Sequence, residues 1–539
     1  MSIREGNAPC KSYETIGAEI LFSEESWETI KLSSHEKILK PKFMVSNIDW
    51  RNLSLVKDAR APFMRVVYSN DSIVYIEASS GVVREVPIFY TVQNKKLILS
   101  DCPRKLINSN LTFNDLSLNE FLAFGYVTSD RTLFDGIYSL EAGNTLIFSK
   151  DGVRVETNYL YNSYPILDMP YQELLNRLQS ETETVFNDLI KAIKGKHVII
   201  PLSAGYDSRF IASMLKIGGF ENVTCFAWGK PGNKDIEISR AVAHKLGYKW
   251  EAVDYSEQQW RDALDTEWIR PLLVKSSNYV SISGAASIPF QKLLRDRDIQ
   301  NNVLLPGHTG DFIGGGHIPK ALTRYSAQSD IEFFIKEQKL ISRSQKSDDQ
   351  ISFELKKQIA KYASYTDSYR IFEAWDHRER QCKFAANTNR YYEALGIGWS
   401  MPFWDFRFVK FWDQVPLDLK KGEKLYHDFL ENYIFRQVGV DLWKKEKVEK
   451  SFIKEQILSV IKYNIPKWAI DQINAHRPRS DEFGFYLSMP YLYDKTEQDY
   501  PSGFKLMQQC CKSIDFKKPR KQYEYLLRAV MAMIFEELS

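Results

Sequence analysis

The chain has 539 residues, 44% of them hydrophobic, and its 72 basic and 69 acidic side chains leave a net charge of +3. That length exceeds one average domain and that apolar content fills large cores, so a globular protein of more than one domain is expected. The near balance of charge excludes the basic footprint of a nucleic-acid binder, and nowhere do about 18 uncharged apolar residues run together as a membrane-spanning helix requires. The six cysteines (Cys10, Cys102, Cys225, Cys382, Cys510 and Cys511) show neither metal-ligand nor disulfide-framework spacing. With no apolar leader at the N-terminus, the expectation is a reduced, cytoplasmic protein.

In chain order, residues 64–68, 72–76, 87–92 and 96–100 read as strands broken by Asn-Asp, Ser-Ser-Gly and Gln-Asn turns, which predicts an N-terminal antiparallel sheet. Residues 197–202 are then a short apolar run of the kind that fills a parallel sheet covered on both faces. Ser203-Ala204-Gly205 turns the chain sharply; Gly205 can take positive φ at little cost, and Ala204 is small enough to let a ligand approach the backbone. The helix that follows from Asp207 and Ser208 points its free N–H groups and positive dipole end at the turn, where an anion is favoured. Asp207 would repel a bare phosphate but can hold a magnesium ion that bridges two. The loop therefore reads as a site for metal-bound pyrophosphate, with a purely steric turn as the competing reading.

A second strand is expected over 223–229, and a helix over 235–247 that ends in Gly247 as its cap. A third strand over 302–305 runs into a glycine-rich segment, 306–317, that carries Asp311. Strand–helix alternation implies a parallel sheet whose carboxyl-end loops converge on one crevice, so Asp207 and Asp311 can share a magnesium pyrophosphate although far apart in sequence. The helix expected over 523–537 is apolar on most faces and reads as buried or partner-facing. The basic run 517–521 reads as a solvated helix approach.

Residues 203–208 resemble the Ser-Gly-Gly-x-Asp-Ser signature of the PP-loop ATP pyrophosphatases, with Ala204 in place of the first glycine. Several further segments resemble, in order, the synthetase domain of the asparagine synthetase family. Residues 237–241 fall on its Glu-x-x-x-Ala-x-x-Ala pattern and residues 307–311 on Gly-Glu-Gly-x-Asp-Glu. Pro402-Phe403-Trp404-Asp405 falls on Pro-Phe-Leu-Asp, and residues 415–426 fit its continuation. The resemblance implies an α/β protein of three parts. These are an antiparallel β-rich, glutamine amidotransferase-like domain over 1–160, a PP-loop synthetase domain over 170–450, and a helical extension over 451–539. It implies ATP and Mg2+, with Leu202, Ser203, Ala204, Gly205, Asp207, Ser208, Trp228 and Gly307 on the nucleotide and Asp207 and Asp311 on the metal.

Residues 375–392 resemble a narrower branch, the asparagine synthase-like proteins of bacterial O-antigen clusters, which implies a uronic-acid sugar as acceptor, free or nucleotide-linked. The end of the glutaminase half is matched by residues 116–127 and 131–147, but its front is not. A family glutaminase exposes Cys as residue 1 so that the α-amine serves as base. Here Met1-Ser2 opens the chain, and Cys10 lies inside it without an α-amine partner. Ser2 as a nucleophile is the alternative to a degenerate domain. Ammonia or an amine is expected from solution or a separate source, and a homodimer is compatible with the reading.

The implied reaction has a carboxylate attack the α-phosphate of ATP and an amine attack the resulting acyl-adenylate. His308 replaces a family glutamate and is either the base or a spacer and hydrogen-bond donor. Lys450 and Lys447 are candidates for the lysine that stabilises the intermediate, with solvated lysines as the competing reading. The family's Glu-x-Arg is absent, with Gly398 and Ser400 in its place; together with His308 this argues against aspartate, leaving asparagine synthesis as an alternative. An inactive nucleotide-binding scaffold is a further alternative, expected to lose Asp207, Asp311 or the loop glycine, and all are present. Arg378, Arg380, Lys383 and Arg390 either bind a diphosphate or uronate or form one charged helix face.

Overall fold

The computed structural model describes residues 11–13, 17–108, 112–230, 232–282, 285–297, 299, 301–341, 345–441, 485–511 and 522–538. The apolar run in the middle of the chain forms β1 (His197–Pro201), with Val198, Ile199 and Ile200 buried between covering layers. The other strands of its sheet are β2 (Val223–Gly229), β3 (Lys249–Asp254), β4 (Asn302–Leu304) and β5 (Gly398–Trp399). All pair in parallel, in the order β3-β2-β1-β4-β5. The chain winds outward from β1 through β2 to β3, then returns to the other side of β1 at β4. Winding reverses there, and a crevice opens beyond the carboxyl ends of β1 and β4. Two helices connect the first strands, α1 (Tyr206–Ile217) and α2 (Lys234–Leu246), the second capped by Gly247 at φ 75°.

The N-terminal region forms two sheets. One has seven strands, antiparallel throughout, in the order Lys11–Tyr13, Gly152–Thr157, Asn144–Ser149, Ser72–Ser80, Pro62–Ser69, Glu36–Pro41 and Trp27–Lys31. The other has four, Gly17–Leu21, Lys96–Ser100, Phe89–Gln93 and Tyr138–Ser139. The four strands expected from the sequence pair antiparallel as two hairpins but fall in two sheets rather than one, and the unforeseen Gly17–Leu21 runs parallel to Lys96–Ser100. The long connection between those two strands, most of the first sheet, lets the chain return in the same direction.

This region is built into the α/β half. The Val45 N–H donates to the Trp399 carbonyl (2.8 Å) and the Trp399 N–H to the Phe43 carbonyl (2.9 Å), so segment 43–45 lies along the outer edge of β5. One apolar core runs from Ile76, Leu97 and Leu99 into Val198 and Ile200. The C-terminal helix Gln522–Glu536 joins the same core, with Phe535 stacked on Phe113 at 4.3 Å between ring centres, so its apolar faces are buried within this chain. Among the described residues no helix is long and apolar enough to cross a membrane.

Candidate functional site

The crevice holds a cavity of about 600 Å³. Its floor is the β1–α1 turn, where Gly205 is the helix N-cap at φ −67° and ψ 167° rather than at the positive φ open to it. Smallness, not left-handed geometry, is what the position uses, since a Cβ there would lie 3.1 Å from Ser203 Oγ. The Ser203 N–H donates to Ser208 Oγ (3.0 Å) and the Gly205 N–H to Ser203 Oγ (3.1 Å). Two hydroxyl oxygens thus occupy the acceptor positions that phosphate oxygens take at a helix N-terminus. Leu202, Ser203, Gly205, Asp207, Ser208, Trp228 and Gly307 all line the cavity. Ala204 does not line it and lies behind the turn, its carbonyl accepting from Arg209 Nη2 at 2.8 Å. Phe226, Ala227 and Trp228 at the end of β2 give the cavity an apolar wall, with Trp228 stacked on Phe290 at 4.7 Å.

Beyond β4 the chain forms a short helix, α3 (Gly310–Gly314), pressed against the start of α1. A Cβ on Gly310 would lie 2.5 Å from Asp207 Cγ, and one on Gly307 2.7 Å from the Ser208 nitrogen, so both positions need glycine for close approach. Asp207 Oδ2 accepts the Asp311 N–H (3.0 Å) and Oδ1 accepts the Tyr426 hydroxyl (2.9 Å). Burial, and then the charge of Asp311, raise the Asp207 carboxyl above its ordinary pKa. Burial also disfavours ionised Asp311, but the His317 imidazole outweighs it and holds that carboxyl low.

Two carboxylates line the same cavity, one penalised by the charge of the other, and together can serve as donors for a divalent cation. No group of three or more His, Cys, Asp or Glu that could hold a metal occurs among the described residues. A pair of carboxylates beside a phosphate-facing loop suits magnesium, which binds through one or two carboxylates plus substrate phosphates.

The family model described as asparagine synthase matches residues 192–501, more than half of the chain. The chain belongs to the asparagine synthase family. The matched span contains every strand of the parallel sheet and both acidic loops. As a member of the asparagine synthase family, the protein is an ATP-dependent amide-forming ligase of the PP-loop class. No match was found among curated proteins. Among solved structures, the chain is similar to an NH3-dependent NAD synthetase from Campylobacter jejuni subsp. jejuni NCTC 11168 in complex with the nitrate ion. That likeness has 14% identity and a TM-score of 0.18, and covers 35% of this chain and 86% of that one. It is also similar to an NMN synthetase from Francisella tularensis, at 13% identity and a TM-score of 0.20, covering 48% of this chain and 97% of that one.

Several further residues complete the site of this member of the asparagine synthase family. Thr309, where the family pattern quoted above has glycine, sits at φ 73°, a strained conformation for a β-branched residue. His308 lines the cavity with Nε2 shielded and without a hydrogen-bond partner; burial lowers its pKa to about 4, so it is neutral near pH 7. His317 Nε2 lies 3.3 Å from Asp311 Oδ2, and its Nδ1 lies 2.6 Å from Asp376 Oδ2, which also takes Lys339 Nζ at 2.7 Å. This line of alternating charge sets the orientation of Asp311 from behind. Sequence reasoning missed His317, Asp376, Lys339 and Tyr426 as site residues; His317, Asp376 and Tyr426 fell inside segments it singled out, but nothing local pairs them with their partners.

Of the four basic residues on one stretch of helix, three face the N-terminal region. Arg378 pairs with Glu141 (3.0 Å), Lys383 with Glu379 (2.6 Å), and Arg390 with Glu393 (2.6 Å) and the Glu85 carbonyl (2.6 Å). Arg380 instead lines the cavity. Lys447 and Lys450, like Ser2 and Cys10, lie outside the described residues.

Proposed function

We propose that the protein adenylates the carboxylate of a uronic-acid sugar destined for a surface polysaccharide, releases pyrophosphate, and joins ammonia or an amine to the activated carbonyl. The observation that carries this reading is the contact of Asp207 with the Asp311 backbone across two strand ends, at the mouth of a loop whose N–H groups are set for phosphate oxygens. Asp207 and Asp311 would hold the magnesium, which supplies charge neutralisation for the departing pyrophosphate. Ser203, Ser208 and the α1 N-terminus hold phosphate oxygens as their present intramolecular bonds exchange. Trp228 and its neighbours cover the adenine. Neutral His308, with a shielded nitrogen and a pKa that burial makes low for a base, is suited to hydrogen-bond the incoming amine or acceptor.

A uronate rather than aspartate is supported by His308, Gly398 and Ser400 at the positions where the aspartate-specific pattern differs, and by the likeness of residues 375–392 to the O-antigen branch. The N-terminal sheets are read as glutaminase-like on the likeness of residues 116–127 and 131–147, with ammonia or an amine drawn from solution or a separate donor. The test is pyrophosphate release from the full chain with ATP, magnesium, ammonium and a panel of uronates, nucleotide-linked uronates and aspartate, beside Asp207→Ala. Release that depends on a uronate and is lost in the variant and on chelation with EDTA is expected; release with aspartate alone would overturn the acceptor.

A further inference from the structure

The helix Ser368–Asp376 passes directly into a π-helical stretch, His377–Ala385. Such wide turns recur at functional sites because they shift the faces on which successive residues emerge. Here residues five apart, Arg378 and Lys383, are both drawn inward, Arg378 to Glu141 of the N-terminal side and Lys383 to Glu379 of its own helix and the Ser129 carbonyl. Arg380 emerges the other way, half-buried on the cavity wall, with its guanidinium 5.6 Å from the centre of the Phe384 ring. It makes no ion pair within contact distance of a described carboxylate, although its charge lowers the pKa of Asp311 and Asp376. Lys339, the neighbouring cation, is spent on Asp376 and almost wholly buried.

The phosphate end of the cavity already has loop N–H groups, a helix terminus and two metal-binding carboxylates. Phe384, Thr388 and Tyr392, which follow Arg380 along the chain and line the cavity with it, bring no charge of their own. The reacting carboxylate loses its charge on adenylation, so it cannot hold a permanent partner here. An anion elsewhere on the acceptor stays charged through both half-reactions. Resting on the ligase reading above, we propose that Arg380 determines acceptor specificity by binding a second anionic group, phosphate or carboxylate, on the molecule whose carboxylate is activated. Its planar fork suits both groups.

Three probes separate the sources of that anion: glucuronate with a single carboxylate, glucarate with a second carboxylate, and UDP-glucuronate with a diphosphate. Each is titrated calorimetrically into the full chain with magnesium and a non-hydrolysable ATP analogue, and each is used as acceptor in the pyrophosphate assay. One of the two doubly anionic probes should bind at least roughly tenfold more tightly than glucuronate, and Arg380→Ala should raise its KM roughly 10–100-fold while kcat and the KM for ATP stay within about twofold. Arg380→Lys, which keeps the charge but loses the fork, should fall between. Were Arg380→Ala to fold poorly, Arg380→Gln and Arg380→Lys carry the same comparison. Equal binding of all three probes, binding of none, or an effect confined to the ATP KM would each overturn the proposal. Undiminished magnesium–ATP binding by Asp207→Ala would instead overturn the nucleotide site, so the two failures are distinguishable.

Discussion

The two sides of the parallel sheet's carboxyl end treat charge in opposite ways. Toward the N-terminal region several buried charges are matched: Glu373 takes Lys420 Nζ on both oxygens at 3.1 Å, with neither side chain exposed, and Asp376, Glu379 and Glu141 each have a cation. Toward the cavity, the charge of Asp311 raises the Asp207 carboxyl, Arg380 makes no ion pair with a described carboxylate, and Thr309 is held at positive φ. Matched charges fix a structure; charges left unbalanced in a concave site are balanced by what binds there.

Breaking the matched side should have the largest effect. Lys420→Met leaves Glu373 buried without its cation and should destabilise the fold by about 3–5 kcal/mol, read from urea unfolding, and retention of wild-type stability would show that the interface tolerates an uncompensated charge. On the cavity side Asp207→Asn should act in the opposite sense. Pyrophosphate release is expected to fall roughly 10²–10³-fold while the melting temperature stays level or rises, because a like-charge contact is removed. A parallel loss of stability would place Asp207 with the structural charges.

A smaller effect concerns the boundary between the two sides, where His377 is stacked on Tyr161 at 5.1 Å and fully enclosed. Burial lowers its pKa from 6.5 to about 3, so the unfolded chain takes up a proton near pH 6.5 that the folded chain refuses until about 3. This contribution is fully present above pH 6.5 and declines as the pH falls, by about 2 kcal/mol at pH 5. The urea midpoint at pH 7 and pH 5, compared with His377→Gln, checks it; an unchanged slope in the variant would assign the dependence elsewhere. The smallest effect is expected of Thr309→Gly, which relieves left-handed strain and should stabilise by about 1 kcal/mol or less in thermal unfolding.

What the sequence disclosed follows from where its signals are local. The β1–turn–α1 unit and the Asp311 loop could be found because strand, turn and helix start lie within a few residues, and their convergence follows from sheet handedness and winding alone. β3 was missed because it is an edge strand with Lys249, Glu251 and Asp254 interrupting the apolar pattern, and β5 because two residues hold no period. The link from His317 to Asp376 spans 59 positions and that from Lys339 to Asp376 spans 37, with no periodicity to betray either. Arg380 was grouped with its basic neighbours because an α-helical spacing was assumed where the chain takes a π turn.

The strand-like run at 43–45 has a consequence for anyone who would divide this chain. By occupying the open margin of β5, those residues cover N–H and C=O groups that a shortened protein would offer to any passing strand. A fragment that starts after the N-terminal sheets would keep every phosphate-facing residue and still be prone to self-association, because the first third of the molecule seals the sheet that carries the chemistry.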